Sequence, residues 1–284
     1  MDTLDKVGMA AACAAVVVLE LVAVAGWQGW SMRSAVSQTA TSVPVQRSLQ
    51  PIAVATVTAI AAVQQVNLAA VAKRAQDETY YAQLRKQIRW VSTRIGDSEL
   101  VTPDLNSRMM LVTAAAERAH LAEVGLGPRD VYGIINAETS WAPRSGMGKN
   151  GTPSLGIAQF EPATARALGL GDPNDAVESV HVAAVHMRQA AQWSSDRIGS
   201  LKLSALERGI KLREGVSIYY NLSSRGRSVW NGINTRRLPR ETQLHILNAR
   251  LGAMQADSLD EQLRSTVYAA QNRGAGTLMA LNNR

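Results

Sequence analysis

Several residue types that define common function classes are scarce in this chain. Cys13 is the only cysteine, so no disulfide can form within the chain, a condition met in the cytosol and in many periplasmic proteins. Among the four histidines, His181 and His186 are five residues apart, a spacing that does not place two metal ligands on one helical face. The sequence also contains no phosphate-binding glycine loop and no nucleophile elbow. We therefore predict neither a metal nor a cofactor.

Positive charge is in excess, and it is concentrated in one part of the chain. The 284 residues carry a net charge of +7, and from Leu201 onward 13 Lys and Arg face 6 Asp and Glu, so the last third accounts for the whole excess. Such a surface suits an anionic polymer such as cell wall, phospholipid or nucleic acid. Because no recognisable nucleic-acid-reading motif accompanies it, no specific nucleic-acid partner is predicted.

The N-terminal region, residues 1–30, contains a long apolar run. Gly8 to Trp27 is a stretch of 20 residues with one charge, at Glu20. Its length matches the roughly 20 residues that a helix needs to cross a bilayer. Trp27 and Trp30 follow at the depth expected for the membrane interface. We predict an uncleaved membrane anchor, with a cleaved signal or a buried Ala- and Val-rich helix as the alternatives.

Residues 31–105 are predicted to form a linker and an amphipathic helical region. The linker is rich in Ser, Thr and Gln, and Pro51 to Val63 is a second apolar run of 13 residues, which is short for a membrane span. Apolar side chains then recur every three or four residues. This spacing predicts a helix from Lys73 to Ile95 that serves as a stalk or binds a partner.

From about residue 106 the pattern is steadily helical, and strand signals are weak throughout. Residues 106–256 are predicted to form one helical domain, and residues 257–284 a basic C-terminal tail. Gly127-Pro128 marks the start of one helix, because proline is favoured at the first helical position. The other predicted helices are Met109–Val124, Pro162–Leu168, Asn174–Ser194, Leu203–Asn221 and Glu241–Ala256. The predicted fold class is therefore mainly α.

The candidate catalytic residue is Glu138. Val131, Ile134 and Ile135 precede it on the same helical face, so Glu138 continues an apolar stripe. A loop rich in Gly and Pro follows, from Pro143 to Ser154. An apolar wall disfavours the charged carboxylate and keeps a proton available near neutral pH. A general acid in the cleavage of a glycosidic bond needs that property.

Four short motifs occur in order along this part of the chain. Glu138-Thr139 ends a predicted helix, Gly156-Ile157-Ala158-Gln159 follows in a loop, Tyr220-Asn221 ends another helix, and Glu241-Thr242 begins the last one. In this order they resemble the lytic transglycosylases of the soluble, lysozyme-like type, over roughly residues 125–255. The resemblance implies a lysozyme-like helical catalytic domain. Such a domain cleaves the MurNAc-β-1,4-GlcNAc bond of peptidoglycan and forms a 1,6-anhydro-MurNAc end without consuming water.

The resemblance also implies roles for individual residues. Glu138 would be the single acid and base, protonating the glycosidic oxygen and then taking the proton of the sugar's own 6-hydroxyl. No second carboxylate is required, because the N-acetyl group of the substrate stabilises the cationic centre. The implied substrate-binding residues are Thr139, Ser140, Ser154, Gly156, Gln159, Tyr220 and Asn221.

Each of these roles has a structural alternative. Gln159 is expected to bind the acetamido groups of the glycan, but it is also a typical polar residue between a loop and a helix. Gly156 is expected to let the backbone pass close to the sugar, or else only to permit a turn. Tyr220 and Asn221 are expected to line the groove, or to be a core Tyr and a helix cap. Trp141 is expected to pack beneath the acid rather than to form a sugar platform.

The chain departs from the family pattern in three places, one of which is the stretch Leu222 to Gly226, where the family has small residues with Gly after Tyr-Asn. Thr139 stands where the family has Ser, although the hydroxyl is kept. His245 stands where the last motif usually has Tyr, and whether it faces the cleft is open.

Two other functions are consistent with the same residues. A hydrolase of the goose-type lysozyme kind needs a second acidic group, and Glu161, Asp172 and Asp175 are the candidates, although they have the sequence context of turns and caps. A non-catalytic scaffold that binds peptidoglycan is the other alternative.

The expected partners follow from the predicted anchor and the resemblance. They are peptidoglycan glycan strands, the membrane through the N-terminal segment, and a larger assembly, either a phage virion or a secretion or conjugation apparatus. The expected location is the inner membrane facing the periplasm. The alternative is a virion-associated protein that is delivered into the host envelope.

Overall fold

Helices make up most of the described chain. The computed structural model describes residues 75–148 and 151–282, which belong to a compact unit that begins at Gln64. The prediction of a mainly α-helical fold is confirmed. The helices are α1 (75–87), α2 (Leu105–Arg118), α3 (Pro128–Thr139), α4 (Pro162–Leu168), α5 (Ala176–Ile198), α6 (Ala205–Asn221), α7 (Ser224–Ser228) and α8 (Arg240–Asn282), with short 3₁₀ turns at Leu121–Val124 and Thr235–Arg237.

A β-hairpin occupies part of the region where the apolar spacing predicts a single helix from Lys73 to Ile95. Helix α1 ends at residue 87, and strands β1 (Trp90–Ile95) and β2 (Ser98–Pro103) then pair antiparallel. The two-residue turn Gly96-Asp97 connects them, and Gly96 has the positive φ of 58° that such a turn needs. The helix prediction is wrong from residue 88 onward, because β-branched residues and the Gly-Asp turn favour a hairpin.

Helix α1 packs into the core. The buried side chains of Tyr81 and Leu84 line a small internal cavity together with Leu111 of α2 and Val177 of α5. An ion pair between Arg85 and the N-cap residue of α5 fastens α1 to the start of that helix. The region expected to be a stalk therefore contributes to the same core as the helices after residue 106.

Helix α3 carries the candidate catalytic residue near its C-terminal end. It begins at Pro128, as predicted. The N–H of Gly127 donates to the carboxylate of Asp130 at 2.9 Å, and the same carboxylate accepts a 2.7 Å hydrogen bond from Nε of Arg213. This contact fixes the start of α3 against α6. The helix ends at Ser140, whose backbone is left-handed.

Two glycines allow α3 and α8 to pack with their backbones in contact. A Cβ atom on Gly133 of α3 would lie 2.3 Å from the carbonyl oxygen of Ala249, and one on Gly252 of α8 would lie 2.6 Å from the Cβ of Asn136. Non-bonded carbon atoms pack at roughly 3.5–4.0 Å, so a side chain at either position would push the helices apart. Asn136 also donates to the carbonyl oxygen of Asn248 at 3.2 Å.

Helix α8 is much longer than the pattern indicates. The sequence predicts a helix from Glu241 to Ala256 followed by a tail, but α8 runs from Arg240 to Asn282. Ala256 and Leu259 are both buried, so the packing on the core continues past the predicted end. Residues 257–282 thus continue the helix.

The membrane predictions concern a different part of the chain. The predicted anchor, Gly8 to Trp27, and the second apolar run, Pro51 to Val63, both lie outside the described residues. Among the helices that the structure does describe, none combines the length and the apolar character needed to cross a bilayer.

Candidate active site

Glu138 lies at the edge of the core, in the last turn of α3. The three apolar residues that share its face, Val131, Ile134 and Ile135, are at most 2% exposed, as their spacing indicates. The side chain of Glu138 itself keeps 15% exposure. The carboxyl group therefore lies next to apolar packing and is still accessible from outside.

His245 contacts Glu138 directly. Its Nε2 atom lies 2.8 Å from Oε1 of Glu138, and the imidazole is only 6% exposed. His245 is on the face of α8 that also carries Ala249 and Gly252, the residues at the close crossing with α3. The sequence left open whether His245 faces the cleft. The close approach of α3 and α8 places its ring against the carboxyl group of Glu138.

Thr139 is fully buried and bonds to the loop beneath Glu138. Its hydroxyl donates to the carbonyl oxygen of Ile157 at 2.8 Å. The side chain has 0% exposure. The hydroxyl is used within the protein, so the structure gives no support to the implied role of Thr139 as a substrate contact. Thr139 instead ties the end of α3 to the Gly156–Gln159 segment.

The backbone turns sharply just after α3. Ser140 and Trp141 are consecutive residues with positive φ, 53° and 68°, a conformation that costs non-glycine residues roughly 1–2 kcal/mol each. The turn is held from inside, because the hydroxyl of Thr102 donates to the carbonyl oxygen of Trp141 at 2.8 Å and the guanidinium of Arg108 lies over the buried indole. Trp141 packs as expected, and Ser140 is left exposed two residues after Glu138.

The side chain of Gln159 closes the loop that follows α3. Its Nε2 donates to the carbonyl oxygens of Arg144 and Gly156 at 2.6 and 2.9 Å, and its Oε1 accepts from the hydroxyl of Ser154 at 2.9 Å. Ser154 belongs to strand β4 (Pro153–Ser154), which pairs with β3 (Gly146–Met147). Because the amide is occupied on both sides, Gln159 holds the loop together. Its implied contact with acetamido groups of the glycan stays a prediction.

Gly156 is required by packing within the protein. Its φ is 73°, and a Cβ atom there would lie 1.7 Å from the carbonyl oxygen of Pro173. Gly156 is also buried. This packing supports the turn alternative, and the expectation that Gly156 lets the backbone approach a sugar stays a prediction.

Tyr220 bridges the loop and the imidazole. Its hydroxyl donates to the carbonyl oxygen of Ala158 at 3.1 Å, and its ring lies nearly parallel to that of His245, with centroids 6.4 Å apart. Burial, reinforced by the charge of Glu138, raises the pKa of the Tyr220 hydroxyl well above its ordinary value of 10.0. Tyr220 therefore remains a neutral wall residue beside the carboxyl group.

Asn221 joins the end of α6 to the first turn of α8. Its Oδ1 accepts a hydrogen bond from the buried hydroxyl of Thr242 at 2.9 Å. The residue is otherwise exposed. Two motifs far apart in sequence thus meet, and Asn221 remains accessible to a ligand.

Arg144 is a residue that the sequence reasoning missed. Its guanidinium donates to the carbonyl oxygen of Thr139 at 2.6 Å and to that of Glu138 at 3.4 Å. These carbonyls have no partner within the helix, and a cation there also complements the negative end of the helix dipole. The available signal was a basic residue shortly after a predicted helix end.

Two of the three acidic residues considered for a second catalytic role, Asp172 and Asp175, serve local structure. Asp172 accepts the N–H of Asn174 at 2.9 Å in a turn. Asp175 caps α5 and pairs with Arg85. Glu161 is exposed at the N-cap of α4. These placements agree with the turn and cap contexts that the sequence indicates.

Comparison with known proteins gives one informative similarity. The chain is 31% identical over 85 residues to a protein named transglycosylase from Enterobacteria phage PRD1. The aligned segment covers 30% of this chain and 29% of the phage protein, so the chain spans less than a third of the length of that relative. No protein-family model and no solved structure matches the chain.

Proposed function

We propose that this chain is a lytic transglycosylase that acts on peptidoglycan, with Glu138 as its single acid and base. The observation that carries the proposal is the Glu138 carboxyl at the edge of the core, above a loop fixed by Thr139 and Gln159. Exposed polar residues, Ser140 and Asn221, lie on the segments that flank it. The similarity to a phage transglycosylase supports the same class of enzyme.

The proposed reaction uses one carboxyl group twice. Glu138 first gives its proton to the glycosidic oxygen while the bond to the anomeric carbon of MurNAc breaks, so the GlcNAc residue leaves with a hydroxyl. As a carboxylate, Glu138 then takes the proton of the 6-hydroxyl of the same MurNAc, whose oxygen bonds to the anomeric carbon. Glu138 ends with the proton it began with, no water is consumed, and the product is a 1,6-anhydro end.

The commitment of Asp172 and Asp175 to local contacts favours this mechanism over hydrolysis. Glycoside hydrolases of the usual kinds place two carboxyl groups roughly 5–10 Å apart across the bond. In the described residues, the downstream candidates Asp172 and Asp175 are held by turn, cap and ion-pair contacts, and Glu161 begins a short helix. A single carboxyl group suits a reaction whose nucleophile is a hydroxyl of the substrate.

The proposal is tested by the products of digestion. Purified peptidoglycan is incubated with the full chain, with Glu138→Gln and with the matched control Glu161→Gln, and the released muropeptides are analysed by mass. We expect 1,6-anhydro ends from the wild type and from Glu161→Gln, and none from Glu138→Gln. Reducing ends that disappear in Glu161→Gln would show a hydrolase, and no products from a folded wild type would show a binding module.

We also propose that the enzyme works within a larger assembly, at a membrane or in a virion. The phage origin of the similar protein favours a virion-associated enzyme delivered into the host envelope over a secretion or conjugation apparatus. The predicted anchor within residues 1–30 would then attach it to a membrane. Fractionation of cells that express the full chain or a chain lacking residues 1–30 tests the anchor, and equal recovery of both in the soluble fraction would reject it.

A further inference from the structure

The imidazole of His245 is buried, with 6% exposure, and lies beside the side chains of Glu138 and Tyr220. Nε2 faces Oε1 of Glu138 at 2.8 Å, the ring of Tyr220 lies nearly parallel to it, and Nδ1 is buried without a hydrogen-bond partner among the described residues. We propose that His245 is a positioning residue that holds its single proton on Nε2 and thereby reserves Oε1 of Glu138 as an acceptor. The acid proton of Glu138 is then carried by Oε2. This inference rests on the proposed function of Glu138.

The surroundings of the two ring nitrogens determine which of them carries the proton of His245. A neutral imidazole carries one N–H and one bare nitrogen. A proton on Nδ1 would be a buried donor with no acceptor, and it would leave the bare Nε2 facing the lone pairs of a carboxylate Oε1, whereas a proton on Nε2 can be donated to Oε1. Glu138 from α3 and Tyr220 from α6 are titratable side chains that face the ring, and neither bonds to Nδ1. The Nε2–H tautomer is therefore the stable one.

This tautomer serves both halves of the reaction. While Glu138 is an acid, the Nε2–H bond to Oε1 leaves Oε2 as the oxygen that carries the proton toward the glycosidic bond. After the transfer, the same bond stabilises the carboxylate that must accept the proton of the 6-hydroxyl, and charge-assisted bonds of this type are the stronger ones. His245 itself neither gains nor loses a proton. Its effect is on the orientation and charge of Glu138.

Two substitutions distinguish a role of His245 as a hydrogen-bond donor from a role in packing alone. In His245→Gln the amide nitrogen can reach the position of Nε2 and donate to Oε1. His245→Leu fills similar space and donates nothing. We expect kcat on peptidoglycan to fall about 10- to 100-fold in His245→Leu with little change in KM, and to stay within about 5-fold of the wild type in His245→Gln. Equal kcat in wild type and His245→Leu would overturn the inference, as would equal losses in both variants.

A spectroscopic measurement tests the same point without any substrate. Nitrogen-15 NMR of the full chain distinguishes a protonated from a bare ring nitrogen, and the His245→Gln spectrum identifies the His245 signals among those of the four histidines. We expect a proton on Nε2 and a bare Nδ1 at neutral pH. A proton on Nδ1 would overturn the inference even if the enzyme is active. The expected tautomer in a protein that releases no muropeptides would sustain the contact and reject only the proposed function.

Discussion

Replacing Gly133 by Ala should separate the two helices that form the site. A Cβ atom at this position would lie 2.3 Å from the carbonyl oxygen of Ala249 and 3.1 Å from its carbonyl carbon. Because ordinary contacts are roughly 3.5–4.0 Å, α3 and α8 must move apart by about 1 Å or bend. That movement acts on the contact between Glu138 and His245, which is 2.8 Å in the native arrangement.

The expected size of the effect comes from two opposing contributions. Alanine is favoured over glycine in the interior of a helix by about 1 kcal/mol. Overpacking of a tight interface costs about 1–3 kcal/mol or more, and here the contact is with backbone atoms that have no rotamer to change. We therefore expect the free energy of unfolding of Gly133→Ala to be lower by about 1–2 kcal/mol. Misplacement by about 1 Å should also lower kcat about 10- to 100-fold.

A second Gly→Ala change provides the control. A Cβ atom on Gly209 of α6 would meet only the end of the Arg213 side chain, at 3.3 Å. Gly209→Ala should leave activity unchanged and keep stability within about 1 kcal/mol of the wild type. Urea unfolding followed by circular dichroism and muropeptide release measure the two effects. If Gly133→Ala is as stable and as active as Gly209→Ala, the close helix crossing does not organise the site.

Three further predictions follow from single contacts. Thr139→Val removes the donor to Ile157 and should cost about 1–3 kcal/mol of stability together with activity, whereas Thr139→Ser keeps the hydroxyl and should retain most of both, as urea unfolding and muropeptide release will show. Burial lowers the pKa of His186 from 6.5 to about 4, so on acidification the unfolded chain binds this proton first, and stability falls between about pH 6.5 and pH 4. In the wild type the free energy of unfolding decreases between pH 7 and pH 5, and His186→Phe should make this decrease smaller by about 2 kcal/mol in urea titrations. Arg144→Met should lower kcat by about 3- to 10-fold, and Arg144→Lys by less, because a cation near the end of α3 is kept.

Local patterns in the sequence were sufficient for the elements that carry the site. The stripe formed by Val131, Ile134 and Ile135 predicted α3 and its buried face, because helical periodicity reports directly which face is buried. Gly127-Pro128 predicted the start of that helix correctly. The hairpin at 90–103 was missed although Gly96-Asp97 between β-branched residues is a hairpin signal, since the apolar spacing of the preceding helix was extended through it.

The roles of the loop residues could not be derived from spacing alone. Thr139, Gly156 and Gln159 were all expected to face a substrate, yet each is used to hold one segment against another. Such contacts join residues that are close in space but separated along the chain, and a single sequence does not record which partner a hydroxyl or amide finds. The pairing of His245 with Glu138 depends on the glycine crossing of α3 and α8, which periodicity likewise does not locate.

Digestion in oxygen-18 water distinguishes the proposed lytic transglycosylase reaction from hydrolysis, because only hydrolysis places an oxygen atom of the solvent in the product. The full chain is incubated with purified peptidoglycan in labelled water, and the new chain ends are analysed by mass beside those from Glu138→Gln. We expect 1,6-anhydro ends without label from the wild type and no new ends from Glu138→Gln. Reducing ends that each carry one labelled oxygen, or ends that persist in Glu138→Gln, would contradict it.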